Sequence, residues 1–274
     1  MSAPIETAPF CFLHIPKTGG VTFHNVLVDQ FAWKKRISFS SKQQAEAYYN
    51  KPATDKRNYK LIKGHFWFDF EKFSPTPDSI YFTFLRQPTD RMVSHYYFMY
   101  QNPKHWFYTE MTTNNYSLKQ LLVNGKVLNM DNCMVRFLSG NVLKPWGELD
   151  ESDLALAIKN FDTYFTHFGI NEFYDESLLI VANELGWKTP YYARLNIGTM
   201  KKKDPFDAET LQLMKHFNSL DLLLYEHAMQ KFKVKLEDNK NLLQSKLASF
   251  KEENKKYSTW RVKLYPYLGS RLFR

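Results

Sequence analysis

Cysteine is nearly absent from this sequence, which has only Cys11 and Cys133 among its 274 residues. Two cysteines exclude a disulfide framework and a cysteine-based metal cluster. Cys11 lies in a β-like apolar run and Cys133 in a helical pattern, so we expect two buried thiols. No group of histidines, cysteines and carboxylates has the spacing of metal ligands, so no metal site is predicted.

Long hydrophobic runs are also missing. No apolar stretch approaches the ~18–20 residues that span a bilayer. Residues 1–9 lack the basic and then apolar profile of a signal peptide. The sequence on its own therefore predicts a soluble protein of a reducing compartment, cytoplasmic in location and without a membrane anchor.

Acidic residues are in deficit, with 28 Asp and Glu against 37 Lys and Arg, for a net charge of +9. Residues 241–274 contain eight Lys and Arg and two Asp and Glu, which is +6, so the remaining chain carries about +3. A basic excess favours anionic ligands. We therefore divide the chain into a domain, 1–240, and a basic tail, 241–274. The tail is expected either to contact an acidic or membrane-bound acceptor or to cap the domain as a solvated helix.

Apolar periodicity predicts alternating strands and helices in the first half and mostly helices in the second. Buried strands are predicted at residues 10–15, 59–66 and 80–85, with one more within 164–169. Helices are predicted at residues 21–31, 88–100, 117–123, 131–138, 150–160, 172–185 and 207–231. Residues 40–58 are interpreted as helix plus loop. This order is typical of a single α/β domain whose central parallel sheet is flanked by helices.

A P-loop-like turn for a phosphate lies between the first strand and the first helix, in the sequence HIPKTGGVT of residues 14–22. Gly19 and Gly20 allow backbone N–H groups to turn toward an anion, and the following helix presents its free N–H groups to the same place. Lys17 adds a charge, and Thr18 and Thr22 add hydroxyl donors. The lysine precedes the glycines, which counts against a nucleoside-triphosphate kinase. A tight turn with a surface lysine is the alternative.

A second phosphate site is predicted at the end of the strand at residues 80–85. Arg86 follows that strand, and Ser94 lies eight residues later, about two helical turns further on. An arginine fork with a hydroxyl suits a phosphate monoester. The alternative is an arginine at a strand end that pairs with Asp90.

The two segments, in this order and at these junctions, resemble the sulfotransferases that use 3′-phosphoadenosine 5′-phosphosulfate (PAPS). They are similar to the Golgi-type carbohydrate group, which includes the heparan sulfate 2-O- and 6-O-sulfotransferases. The stretch GHFWFDFEKF of residues 64–73 also resembles the 2-O type. The resemblance implies that residues 17–22, including Val21, bind the 5′-phosphosulfate and that Arg86 and Ser94 bind the 3′-phosphate. Two departures are Gln87, where an acid is common, and the absence of an anchor and stalk.

The same resemblance implies further roles. His65 matches the catalytic histidine, although a histidine at a strand end is more often structural, and Asn25 matches a polar position near the acceptor. Thr199 and Lys201 lie in a segment that resembles the loop covering the nucleotide. Elsewhere, His14 is interpreted as a buried, hydrogen-bonded residue and His95 as a packing residue.

We therefore predict transfer of a sulfuryl group from PAPS to an acceptor hydroxyl on a carbohydrate or glycoconjugate. Lys17 would stabilise the leaving group, His65 would act as base, and adenosine 3′,5′-bisphosphate (PAP) would be the product. No metal is expected. One alternative acceptor is a small-molecule or lipid alcohol or phenol. The non-enzyme alternative is a basic protein that binds anions or nucleic acid, but no nucleic-acid module is recognisable, so no nucleic-acid partner is predicted.

Overall fold

A computed structural model of the protein describes residues 8–39, 41–66, 76, 78–193 and 206–268. Its five short strands form one sheet in which every pair is parallel. In chain order they are β1 (Phe10–Leu13), β2 (Arg36–Phe39), β3 (Leu61–Gly64), β4 (Ile80–Leu85) and β5 (His167–Ile170). The spatial order is β2-β3-β1-β4-β5. Strand β1 is therefore central, between β3 and β4.

Twelve α-helices are described around and beyond the sheet. They are α1 (Gly20–Gln30), α2 (Lys42–Tyr49), α3 (Ala53–Lys56), α4 (Pro88–Gln101), α5 (Tyr108–Thr113), α6 (Leu118–Asn124), α7 (Cys133–Ser139), α8 (Glu151–Tyr164), α9 (Tyr174–Leu185), α10 (Ala208–His216), α11 (Ser219–Asp238) and α12 (Lys240–Leu268). The prediction of a single α/β domain with a parallel sheet and a mostly helical second half is confirmed.

Strand β2 was not predicted, and its environment explains why. It is an edge strand of four residues, and only Phe39 among them is fully buried. A strand that is half exposed at a sheet edge carries no continuous apolar run, which is the signal that identified the buried strands.

The sheet is covered on both faces, because successive side chains of a strand point to opposite sides. Phe10 and Phe12 of β1 pack on one face, in a cluster with Phe23 of α1 and Leu178 of α9. The alternating residues Cys11 and Leu13 pack on the other face with α7, α8 and α11. Cys11 and Cys133 are both buried free thiols, as predicted.

Helix α7 is held by buried charges. Asp131 and Arg136 form an ion pair with both side chains only 1% exposed. Asp221 of α11 accepts the N–H groups of Met134 (3.0 Å) and Val135 (2.8 Å) at the start of α7. A carboxylate at this end of a helix satisfies free donors and complements the helix dipole. Residues 131–140 therefore join α7 to α11 and serve the fold.

Helix α12 packs on the domain through part of its length. Phe250 is 3% exposed and lies in the cluster that covers β1. Asn254 accepts the N–H group of Tyr192 at 2.7 Å. The division of the chain at residue 240 stays a prediction, although α12 begins there. Among the helices described, none combines the length and the apolar character that crossing a bilayer requires.

Candidate active site

The carboxyl ends of three neighbouring parallel strands meet at one edge of the sheet, where ligands of α/β proteins usually bind. The loop before α1 follows β1, His65 follows β3, and Arg86 follows β4. A cavity of about 640 Å³ opens there, a volume suited to a small ligand. Eight predicted site residues line it together: Lys17, Gly19, Gly20, Val21, Thr22, His65, Arg86 and Ser94.

The two glycines of the loop are required by close packing. Gly19 has φ 95°, and a Cβ there would lie 2.5 Å from Nδ2 of Asn171. A Cβ on Gly20 would lie 2.0 Å from the ring of His14. The same Asn171 amide donates to the carbonyl of Thr18 at 3.1 Å, so the loop is tied to the chain after β5. These contacts fix the shape of the loop.

The hydroxyl of Thr18 was predicted to donate to the anion, but it forms a hydrogen bond within the loop instead. The residue is fully buried, and its hydroxyl donates to the carbonyl of Ile15 at 2.9 Å. A contribution of Thr18 to anion binding would therefore come from its backbone N–H. Thr22 lines the cavity, in the first turn of α1.

Lys17 and Arg86 lie beside one another at the cavity. Nη1 of Arg86 donates to the carbonyl of Lys17 at 3.2 Å, while its buried Nε has no hydrogen-bond partner among the residues that the structure describes. Lys17 has φ 70°, a left-handed conformation unusual for a residue with a Cβ. Its Nζ lies 4.3 Å from the ring centroid of Phe98. Burial, and secondly the charge of Arg86, lower the pKa of Lys17 to about 8.

The geometry of His65 defines its tautomer. Its Nδ1 lies 2.8 Å from the carbonyl oxygen of His14. Because a carbonyl only accepts, Nδ1 carries the proton, and Nε2 keeps its lone pair. The ring also stacks on His14, with centroids 4.2 Å apart, and retains exposed surface toward the cavity. Burial chiefly, and then the charge of Lys17, lower the pKa of His65, although the hydrogen bond to His14 acts in the opposite direction.

The lining is basic. Among the described residues around the cavity there are three Lys or Arg side chains and no carboxylate. Clustered positive charge with low-dielectric walls attracts anions. The described part of the cavity therefore suits an anionic ligand beside a neutral imidazole.

Two predicted residues that the structure describes, Thr18 and Asn25, are not among the residues that line this cavity. Asn25 is 4% exposed within α1, where its Nδ2 donates to the carbonyl of Val21 at 3.4 Å, and it is not among the lining residues. Thr199 and Lys201 lie outside the described residues.

The structure adds lining residues that sequence reasoning missed. They include Phe98, Asn102, Lys104, Trp106 and His95. Phe98 and Asn102 follow Ser94 at intervals of four, so the helical period could have identified them. His95 was interpreted as a packing residue, but it lines the cavity, and within the described part of the chain both ring nitrogens lack a partner. Burial, and secondly the charge of Arg91, hold the pKa of His95 well below its usual value.

Comparison with known proteins adds to this geometry. Residues 2–263 match the model of the galactose-3-O-sulfotransferase family. Galactose-3-O-sulfotransferase 3 of Mus musculus is 27% identical over 242 residues, which cover 79% of this chain and 54% of that protein. The chain thus spans about half the length of this curated relative. The solved structure of mouse sulfotransferase SULT7A1 complexed with PAP is 14% identical, with a TM-score of 0.38, over 78% of this chain and 66% of that one.

The family match and the mouse relative decide several sequence-based predictions. A sulfotransferase is confirmed at the level of the family, whereas the narrower heparan sulfate 2-O or 6-O type is not. The predicted cytoplasmic location is wrong, because the homologous galactose-3-O-sulfotransferases are Golgi enzymes. The family match extends over nearly the whole chain, and the phosphate-type loop, the arginine and the histidine converge in one cavity. The chain belongs to the galactose-3-O-sulfotransferase family.

Proposed function

We propose that this chain transfers a sulfuryl group from PAPS to a hydroxyl of a glycan, and that the acceptor is the 3-hydroxyl of a galactose. The observation that carries the proposal is the convergence of Lys17, Arg86 and a neutral His65 on one basic cavity. The reaction and the acceptor hydroxyl come from the name of the family. A small-molecule or lipid alcohol is the alternative acceptor.

The residues present fit a nucleotide that carries several negative charges. Residues 17–22 would hold the 5′-phosphosulfate, with free backbone N–H groups at the start of α1. Arg86, whose buried Nε lacks a partner in the described part of the chain, and Ser94 would hold the 3′-phosphate. When bound, PAPS supplies an activated sulfuryl group.

His65 would remove the proton from the acceptor hydroxyl. Its Nε2 is free to accept because Nδ1–H donates to His14, and this hydrogen bond also fixes the ring orientation. A lowered pKa keeps the imidazole neutral at neutral pH, which is the form that a general base needs.

Lys17 would stabilise the negative charge that develops on the departing phosphate oxygen. The loop conformation and the contact with Phe98 position its Nζ. An anion next to Nζ favours the protonated amine, so a bound phosphate would raise the pKa from about 8 and keep the charge in place.

The first test is ligand-induced stabilisation, followed by transfer. PAP should raise the melting temperature far more than ATP or an oligonucleotide does. Radiolabelled PAPS should then label β-galactosides in preference to lipid alcohols and phenols, and EDTA should not reduce turnover. Stabilisation by oligonucleotide but not by PAP would contradict the proposal and favour a nucleic-acid-binding protein.

A further inference from the structure

Three ring side chains follow one another along one wall of the cavity: His95, His105 and Trp106. The ring centroids of His95 and His105 are 5.9 Å apart, and those of His105 and Trp106 are 5.8 Å apart. His95 lies within α4, whereas the other two lie in the turn after it. We call these three residues the ring wall. None of them belongs to the proposed phosphate sites.

Trp106 is exposed on a turn that is fixed by hydrogen bonds. The carbonyl of Asn102 accepts the N–H of His105 at 2.9 Å, and its side-chain oxygen accepts the N–H of Lys104 at 3.2 Å. The next residue, Phe107, is fully buried. The indole is nevertheless 70% exposed. A rigid, exposed aromatic ring at a cavity is well suited to contact a ligand, because little conformational entropy is lost on binding.

The two histidines supply hydrogen-bonding groups beside that ring. Nδ1 of His105 accepts the N–H of Phe107 at 3.2 Å, so its proton is on Nε2, which is a donor. His95 is 3% exposed, and neither of its ring nitrogens has a partner among the described residues. A buried imidazole without partners is unfavourable. Both nitrogens are buried, so hydroxyl groups of a ligand would satisfy them after a shift of the His95 ring toward the cavity.

On the basis of the proposed function, we propose that the ring wall is the acceptor site and binds the terminal galactose ring of the glycan. The axial 4-hydroxyl of β-galactose leaves one face of the sugar with adjacent C–H groups, and this apolar face would lie on Trp106. The hydroxyls at the ring edge would then contact His105 and His95. His95 lines the same cavity as Lys17 and His65, so a sugar held there would lie beside the proposed reacting groups.

Substitution of Trp106 tests the apolar contact. Trp106→Ala should raise the KM for a β-galactoside at least about tenfold, as expected for loss of an aromatic contact residue. The Kd for PAP should stay within about twofold, because the ring wall contains none of the residues proposed to hold the phosphates. Trp106→Phe keeps an aromatic face and should stay within about threefold of the wild type. Trp33→Ala is the matched control, since Trp33 is also 70% exposed but does not line the cavity.

His95→Leu tests the polar contact with a readout that a structural role would not give. If His95 serves the acceptor, the substitution should raise KM for the galactoside and leave the melting temperature equal or higher, because two unpaired buried nitrogens are removed. A lower melting temperature with unchanged KM would assign His95 to packing.

Fluorescence separates failure of this inference from failure of the proposed function. With PAP present, methyl β-galactoside should change indole emission in the wild type but not in Trp106→Phe, and methyl β-glucoside should have a smaller effect. A wild type that transfers sulfate, with KM and emission insensitive to substitution of Trp106, would overturn the acceptor site alone. A wild type that binds no PAP would instead overturn the proposed function, and the emission change would still report on the ring wall.

Discussion

The proposed phosphate end of the cavity consists largely of backbone, whereas the ring wall consists of side chains. At the phosphate end, the chain turns through Lys17 and Gly19 with positive φ and is tied down through the carbonyls of Thr18 and Lys17. Few residue types fit the positive φ angles and close packing of a site built from backbone groups, so such a site has a recognisable sequence motif. A wall of rings can change residue by residue without altering the fold. Specificity for an acceptor can therefore vary on a constant donor site.

The two regions also differ in their hydrogen bonding. In the phosphate loop, the hydroxyl of Thr18 and the carbonyls of Lys17 and Thr18 are hydrogen-bonded, and the first N–H groups of α1 would be available to an anion. Beside the loop only Nε of Arg86 is buried without a partner among the described residues, whereas in the ring wall both nitrogens of His95 are. Substitutions at the phosphate end should therefore change binding of the nucleotide, those at the ring wall should change binding of the acceptor, and substitution of His65 should chiefly change turnover.

His65→Ala should have the largest effect on turnover, a fall in kcat of roughly 10²–10⁴-fold, because the proposed base is lost. The Kd for PAP should hardly change. The base must be neutral, so wild-type kcat should rise with pH through an apparent pKa below 6.5, and this limb should vanish in the variant. His216→Ala, on an exposed position of α10, is the control. Near-normal kcat in folded His65→Ala would remove the base assignment.

Lys17→Met should reduce kcat by about 10²-fold, as loss of a charge-stabilising donor does. It should also weaken PAP, because the same ammonium meets the ligand in the ground state. Since the pKa of free Lys17 is about 8, wild-type affinity for PAP should fall as pH rises above that value. The variant should lack this pH dependence, and Lys34→Met should behave as the wild type. Unchanged PAP binding by calorimetry would place Lys17 outside the phosphate end.

Arg86→Ala should weaken PAP by roughly tenfold to a hundredfold, corresponding to the ~1.5–3 kcal/mol of a charged hydrogen bond. Adenosine 5′-phosphosulfate, which lacks the 3′-phosphate, should bind almost as before. Arg57→Ala, an exposed arginine of the same charge, is the control. Equal losses for both nucleotides in calorimetry would contradict the assignment of Arg86 to the 3′-phosphate.

Removal of residues 259–274 should have the smallest effect. The cut lies beyond the buried Phe250 and Asn254, so the melting temperature should be nearly unchanged. Turnover of a soluble β-galactoside should stay within about twofold. A selective loss of activity toward a galactolipid in anionic vesicles would show that the basic tail contacts the acceptor surface.

Much of the fold was predictable because its signals are local. The strand at residues 80–85 and the helix that starts at Pro88 have the bounds expected from an apolar run followed by proline. The end of α9 at Gly186 likewise follows from a glycine in the left-handed conformation. Strand β2 was missed because its pairing with β3, and not its own residues, makes it a strand.

The candidate site shows the same division between local and long-range information. By itself, the sequence determined the strand–loop–helix junctions at Lys17 and Arg86, because glycines, proline and apolar periodicity act over a few residues. Only the tertiary structure decided that β1, β3 and β4 lie side by side, which brings Lys17, His65 and Arg86 to one cavity. It also decided the tautomer of His65, whose partner carbonyl belongs to His14, 51 residues away. Such contacts depend on the register of strands distant in the chain, and no local pattern of residues encodes them.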